Sequence, residues 1–166
     1  MDSMPPQQQP PLAAPRTPRY LGLDIGNRRI GVALSDPLNL TAQPVLTLYR
    51  KNPREDIRSL ARLLRRHGCT AIVAGNPLHM SGLAGTQAAK AQAFAEQLGH
   101  AANVPVHLYD ERLTTLEAHH ILSEAGHPRQ QHRRLVDQVA AVLILQGFLD
   151  TLPQPQHLPP HPEGQV

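Results

Sequence analysis

Apolar residues along this chain come in short blocks with changing period, not in long runs. Residues 20–26 (Tyr-Leu-Gly-Leu-Asp-Ile-Gly) and 29–35 (Arg-Ile-Gly-Val-Ala-Leu-Ser) are two strand-like stretches parted only by Asn27-Arg28. A two-residue connection of this kind predicts an antiparallel hairpin. Residues 44–49 form a third extended piece, opened by Pro44, which suits the start of a strand. From Pro53 the period changes. Ile57, Leu60, Leu63 and Leu64 share one face of a helix over 53–67, with proline in its first turn and Gly68 as its stop. A short buried strand over 70–74 follows and runs into a Gly75-Asn76-Pro77 turn. A helix over 86–99 has an alanine-rich face that includes Ala89, Ala93 and Phe94, and a strand over 104–109 comes next. Thr114-x-x-Glu117 is a capping-box pattern that starts a helix over 114–125. After a loop over 126–131, a last helix covers 132–150. The order β-β-β-α-β-α-β-α-α predicts an α/β domain built on a mixed sheet, antiparallel at first and then parallel, with helices on both faces. Ligands of such sheets gather at the carboxyl ends of the parallel strands.

Composition narrows the domain. Of the 17 prolines, six fall in residues 1–18 and five in 151–166, among glutamines and few large apolar residues. Those ends are expected to be disordered tails flanking one domain over 19–150. The domain keeps 15 of the 16 basic and 11 of the 13 acidic residues, a formal +4. This mild excess is compatible with nucleic acid as a partner and does not demand it. Lys51 and Lys90 are the only lysines; the other basic residues are arginines, whose fork matches phosphate. The single cysteine, Cys69, has no disulfide partner within the chain and reads as a core residue. No run reaches membrane-spanning length and no signal pattern opens the chain, so the expected location is the cytoplasm.

Three acidic positions stand apart from the charged surface. Asp24 interrupts the first apolar strand, where an ionised carboxylate is costly without a cation or hydrogen-bond donors beside it. Glu111, between Asp110 and Arg112, lies just past the strand over 104–109. Asp137 opens the apolar run 136–145. Read singly, each has an ordinary explanation: turn amides for Asp24, a pairing with Arg112 for Glu111, the helix dipole for Asp137. Read together, three carboxylates meeting in one pocket would hold one or two Mg²⁺ or Mn²⁺ ions, which prefer oxygen ligands. Two such ions activate a water and stabilise the leaving oxygen of a phosphodiester.

Arginines accompany these acids. Arg28 and Arg29 follow Asp24, and Arg129, Arg133 and Arg134 precede Asp137; all are candidate phosphate ligands. Arg54, Arg58, Arg62 and Arg66 recur every four residues and stripe one helix face, which reads as a solvated amphipathic surface. The loop over 76–85, with Gly82 and Gly85, is a candidate phosphate cradle ahead of a helix. The ten histidines form no zinc pattern with Cys69. The few aromatic residues make a base-stacking platform an unsuitable reading.

Four segments resemble the motifs of the YqgF (RuvX) family, in that family's order and across the whole core. They are Asp24-Ile-Gly-Asn-Arg-Arg-Ile-Gly-Val-Ala-Leu-Ser-Asp36, Val73-Ala-Gly-Asn-Pro-Leu-His-Met-Ser-Gly82, Asp110-Glu-Arg-Leu-Thr-Thr115 and Asp137-Gln-Val-Ala-Ala-Val-Leu-Ile-Leu-Gln146. The family belongs to the RNase H-like superfamily and is similar to bacterial Holliday-junction resolvases. The resemblance implies a five-stranded sheet in the order 3-2-1-4-5 with strand two antiparallel. It implies a metal-dependent nuclease with Asp24, Glu111 and Asp137 as its acidic set, and a role in maturing the 5′ end of the small-subunit ribosomal RNA precursor. In that strand order Glu111 starts about 10 Å from Asp24 and has to reach back across the end of strand four, where the resolvases carry their glutamate and this chain has Gly75-Asn76.

Four readings follow. The leading one is a Mg²⁺- or Mn²⁺-dependent nuclease acting on structured RNA, with Arg28, Arg29, Arg112, Arg133 and Arg134 on the nucleic acid. A resolvase of branched DNA shares the chemistry and implies a homodimer. A non-catalytic RNA-binding factor of ribosome assembly would use the basic residues alone. A kinase-like nucleotide binder would share the Asp-x-Gly hairpin, yet the chain is short for the two domains that usually enclose ATP.

Overall fold

The computed structural model describes residues 17–76, 85–110 and 129–153, with backbone only for residues 129–134. Five strands form one sheet in the order β3-β2-β1-β4-β5, as the family resemblance implies. They are β1 (Tyr20–Ile25), β2 (Arg29–Ser35), β3 (Ala42–Tyr49), β4 (Ala71–Asn76) and β5 (Val106–Asp110). The described helices are α1 (Pro53–His67), α2 (Thr86–Ala102) and α3 (Arg129–Thr151). β2 runs antiparallel to β1 and β3, whereas β1, β4 and β5 are parallel. The helix expected over 114–125 lies outside the described residues.

Alternation along the strands divides the sheet into two unlike faces. Leu21, Leu23, Ile25, Ile30, Val32, Leu34 and Ile72 point to one side and pack with Leu60 and Leu64 of α1 and with Phe94, Ala95 and Leu98 of α2. Cys69 is buried in the same core, and burial pushes its thiol up to about 11, so it is inert packing. Tyr20, Ala33, Ala71 and Val73 point to the other side and meet Ala141, Ile144, Leu145 and Leu149 of α3.

The second face is made of small residues so that α3 can lie against it. A Cβ on Gly22 would stand 2.7 Å from Leu145 Cβ, and one on Gly31 would overlap the carbonyl oxygen of Asp137. Gly31 is the ladder partner of Asp24. The helix therefore touches the sheet backbone beside the one acidic position of β1.

Several boundaries differ from the sequence expectation, each through tertiary pairing. β4 continues through Gly75 and Asn76, expected as a turn, because both pair with β5, at Tyr109 and Asp110. β3 starts at Ala42, ahead of Pro44. Pro44 is tolerated on this edge strand, where the register with β2 shifts between Val32 and Ala33. α2 runs past Gly99, whose missing Cβ makes room for Val106, and ends at Asn103 in the left-handed conformation. β5 starts at Val106, later than expected, because the Val104 amide is taken by Gly99 in that helix cap. α3 starts at Arg129, three residues early, since Arg and Gln are good helix formers. α1 keeps its expected limits: the Asn52 side chain caps the Glu55 amide, Pro53 opens the first turn, and Gly68 closes the helix at φ 64°.

Gly31→Ala is expected to lower stability by about 3 kcal/mol, the upper end of overpacking costs, because the added methyl meets helix backbone. Urea unfolding checks this; unchanged stability would show that α3 has room to move.

Candidate functional site

Asp24 is the penultimate residue of β1, facing α3 from the carboxyl end of the strand. Its neighbours on that face are Gly22 on its own strand and Gly31 across the ladder. Neither has a side chain to shield it, and the space above is taken by the first turns of the described part of α3. That contact brings Asp137 within electrostatic reach. Burial raises the Asp24 carboxyl from 3.8 to about 7, and the negative charge of Asp137 adds to the rise. Asp24 thus sits half-buried beside a second carboxylate.

Asp137 is held from below. Arg29 starts β2 on the same face as Gly31, and its Nε donates to Asp137 Oδ2 at 2.6 Å. This charge-assisted bond joins residues 108 positions apart in sequence. Arg29, expected as a phosphate ligand from its place beside Asp24 in sequence, is engaged by Asp137. Arg28 is exposed in the β1–β2 turn. Glu111 and Arg112 lie outside the described residues. Arg133 and Arg134 are placed on the first turns of α3 by backbone alone. Among the described residues no group of three or more His, Cys, Asp or Glu could hold a metal ion; the described part of the site is the pair Asp24–Asp137.

Other residues of the motifs are structural. Ser35 Oγ accepts from the Tyr20 amide at 2.9 Å and ties the start of β1 to the end of β2. Asp36 accepts from the amides of Thr41, Leu40 and Leu38, which holds its carboxyl below the usual range and shapes the β2–β3 turn. Gln146 bridges that turn to α3, accepting from the Ala42 amide and donating to the Leu40 carbonyl, both at 3.0 Å.

One arginine that sequence reasoning passed over joins the turn after β1 to α1 and α2. Arg50 donates through Nη1 to the Gly26 carbonyl at 2.9 Å and through Nε to Asp56 at 3.2 Å, and lies over the Phe94 ring at 4.7 Å. Asp56 is buried and also accepts from the Lys51 amide. The available signal was a lone acid at a core-facing position of α1, six residues after an arginine.

Two hard oxygen donors that repel one another, with a cation already drawn to them, suit a divalent metal ion. A five-stranded mixed sheet in this order, with Asp24 near the end of its first strand and Asp137 on the helix above it, has the RNase H-like, resolvase-related fold. The chain belongs to the RuvX family, described as Holliday junction resolvase, whose model matches residues 18–151. Proteins named "Putative pre-16S rRNA nuclease" are close relatives. That of Moorella thermoacetica is 48% identical over 136 residues, covering 82% of this chain and 97% of its own. That of Clostridium acetobutylicum is 46% identical, covering 81% and 99%. Among solved structures, Thermus thermophilus RuvC in complex with a Holliday junction substrate shares the fold at a TM-score of 0.54 and 17% identity, covering 81% of this chain and 98% of RuvC. The fowlpox virus resolvase bound to Holliday junction DNA does so at 0.51 and 13% identity, covering 80% and 97%.

The raised Asp24 carboxyl predicts a pH dependence of the metal-free protein. Between about 4 and 7 the folded chain holds a proton on Asp24 that an unfolded aspartate has released. This residue therefore favours folding fully at the acid end of that window and progressively less as the pH rises through it. With chelator present, Asp24→Asn is expected to melt several degrees above the parent at about pH 8 and level with it near pH 4. Thermal unfolding across that range checks it; a difference independent of pH would mean that Asp24 is ionised throughout.

Proposed function

We propose that this chain is a divalent-metal-dependent nuclease that trims the 5′ end of the small-subunit ribosomal RNA precursor. The observation that carries the reading is the Asp24–Asp137 pair at the end of β1, in a chain whose close relatives bear the pre-16S rRNA nuclease name. Asp24 and Asp137 would hold Mg²⁺ or Mn²⁺, with Glu111 as a third oxygen donor. When bound, such ions supply an activated water and charge neutralisation at the cleaved phosphodiester.

The chain's own residues provide the rest. α3, seated on Gly31, fixes the Asp137 backbone relative to β1. Arg29 keeps Asp137 oriented and lowers the net charge of the pair. Arg28, at the exposed turn, and Arg112, Arg133 and Arg134 would take the phosphates on either side of the cut. The absence of a membrane-spanning helix among the described residues agrees with a cytoplasmic site of action.

Branched DNA is the second substrate reading. The family description and the fold shared with RuvC favour it. It calls for a homodimer, since a four-way junction has two symmetry-related strands to cut.

A transcript with a 5′-extended 16S end, incubated with Mg²⁺ or Mn²⁺, separates these readings from a four-way DNA junction assayed in parallel. Asp24→Asn and Asp137→Asn are each expected to lower cleavage on the order of 10²-fold or more; equal activity in Asp24→Asn would sink the nuclease assignment. Mn²⁺ is also expected to raise the melting temperature of the parent by several degrees at saturating concentration, and not that of Asp24→Asn.

A further inference from the structure

Helix α1 carries five arginines, Arg54, Arg58, Arg62, Arg65 and Arg66, all exposed. The row Arg54, Arg58, Arg62, Arg66 advances by about 6 Å along the axis at each step. It lies opposite the buried face formed by Asp56, Leu60, Ala61 and Leu64. Among the described residues the ion pairs are Arg29–Asp137 and Arg50–Asp56, so none of these five arginines is paired. The two acids of the helix do not neutralise the row. Asp56 is buried under Arg50, and Glu55 sits in the first turn, where it suits the helix dipole. Like charges four residues apart weaken a helix. Repulsion along the row works against the helix, whose stability comes from its caps, its apolar face and the basic residues of its last turn, Arg65 and Arg66.

The segment that leads into α1 is tied to the turn that follows Asp24. The Arg50 amide donates to the Arg28 carbonyl, and its guanidinium to the Gly26 carbonyl, both at 2.9 Å. Gly26 lies two residues past Asp24. Arg28 and Lys51, both exposed, carry positive charge across the turn to Arg54. Exposed basic residues thus form a track from the turn that follows Asp24 to the outer face of α1, on the side of the sheet away from α3.

We propose that this track is a docking rail for a double-helical arm of the RNA whose cut strand lies at Asp24 and Asp137. The proposal rests on the nuclease reading above. Guanidinium forks suit phosphate oxygens, and a row with no aromatic residues in it follows a backbone without reading bases. The rail sets where the stem of the substrate lies relative to the cut, and so selects structured over single-stranded RNA.

The test is binding of an RNA hairpin with a single-stranded 5′ extension, in an Asp24→Asn background that prevents cleavage. Arg54→Gln, Arg58→Gln, Arg62→Gln and Arg66→Gln are combined, and affinity is followed by fluorescence anisotropy over a range of KCl. The combined variant is expected to lose tenfold or more in affinity near physiological salt, with the slope of log K against log [KCl] shallower by about 3. Its melting temperature should hold or rise, and the double charge reversal Arg58→Glu/Arg62→Glu should weaken binding further. Unchanged affinity and slope would overturn the rail and leave the nuclease reading intact. Full cleavage by Asp24→Asn would overturn the nuclease reading, while the salt slope still decides the rail. Competition by polyglutamate as strong as by the hairpin at equal charge would assign the track to an acidic protein and overturn the RNA partner.

Discussion

The approach of α3 to the sheet is the contact on which the site depends. Gly22 and Gly31 remove the side chains that would hold the helix off, and Ala33, Ala71 and Ala141 keep the rest of the layer thin. Helix backbone then rests on strand backbone at Gly31, next to Asp24 in the ladder. Because the contact is between main chains, it leaves little freedom in where Asp137 stands. The two acids are brought together by packing against their mutual repulsion, and Arg29 offsets part of that cost from beneath.

The two faces of the sheet divide the labour. The thin face carries α3 and the acids. The thick face, built from Leu, Ile and Phe, carries α1 and α2 and most of the large apolar burial. Hydrophobic stabilisation is concentrated where no chemistry is needed, which lets the other face carry glycines and a carboxylate pair. Arg50 braces the thick face at its edge, reaching from the turn after β1 to Asp56 and Phe94.

Much of this was legible in the chain. The hairpin with its two-residue turn, the helix opened by Pro53 and stopped by Gly68, and the oddity of Asp24 in an apolar strand are local signals. The pairing of Gly75 and Asn76 with β5 was not legible, because their turn propensity is local and the ladder that overrides it is not. The purpose of Gly31 appears only with α3 above it. Arg29 was read by its place beside Asp24 in sequence, yet its partner lies 108 residues away. Ser35, Asp36 and Gln146 sit inside the same motifs as Asp24 and Asp137, and nothing in residue type separates a hydrogen-bonding brace from a metal ligand. Glu111 and Arg112 lie outside the described residues, so the third carboxylate keeps the standing that the motif gives it.

The outer strand of the sheet has a consequence for self-association. β3 ends the sheet on the side of the hairpin, and an open strand edge invites another chain to extend it. Pro44 removes one amide from this strand, and the register shift between Val32 and Ala33 interrupts its ladder with β2. Continuous addition of a second sheet along β3 is thereby disfavoured.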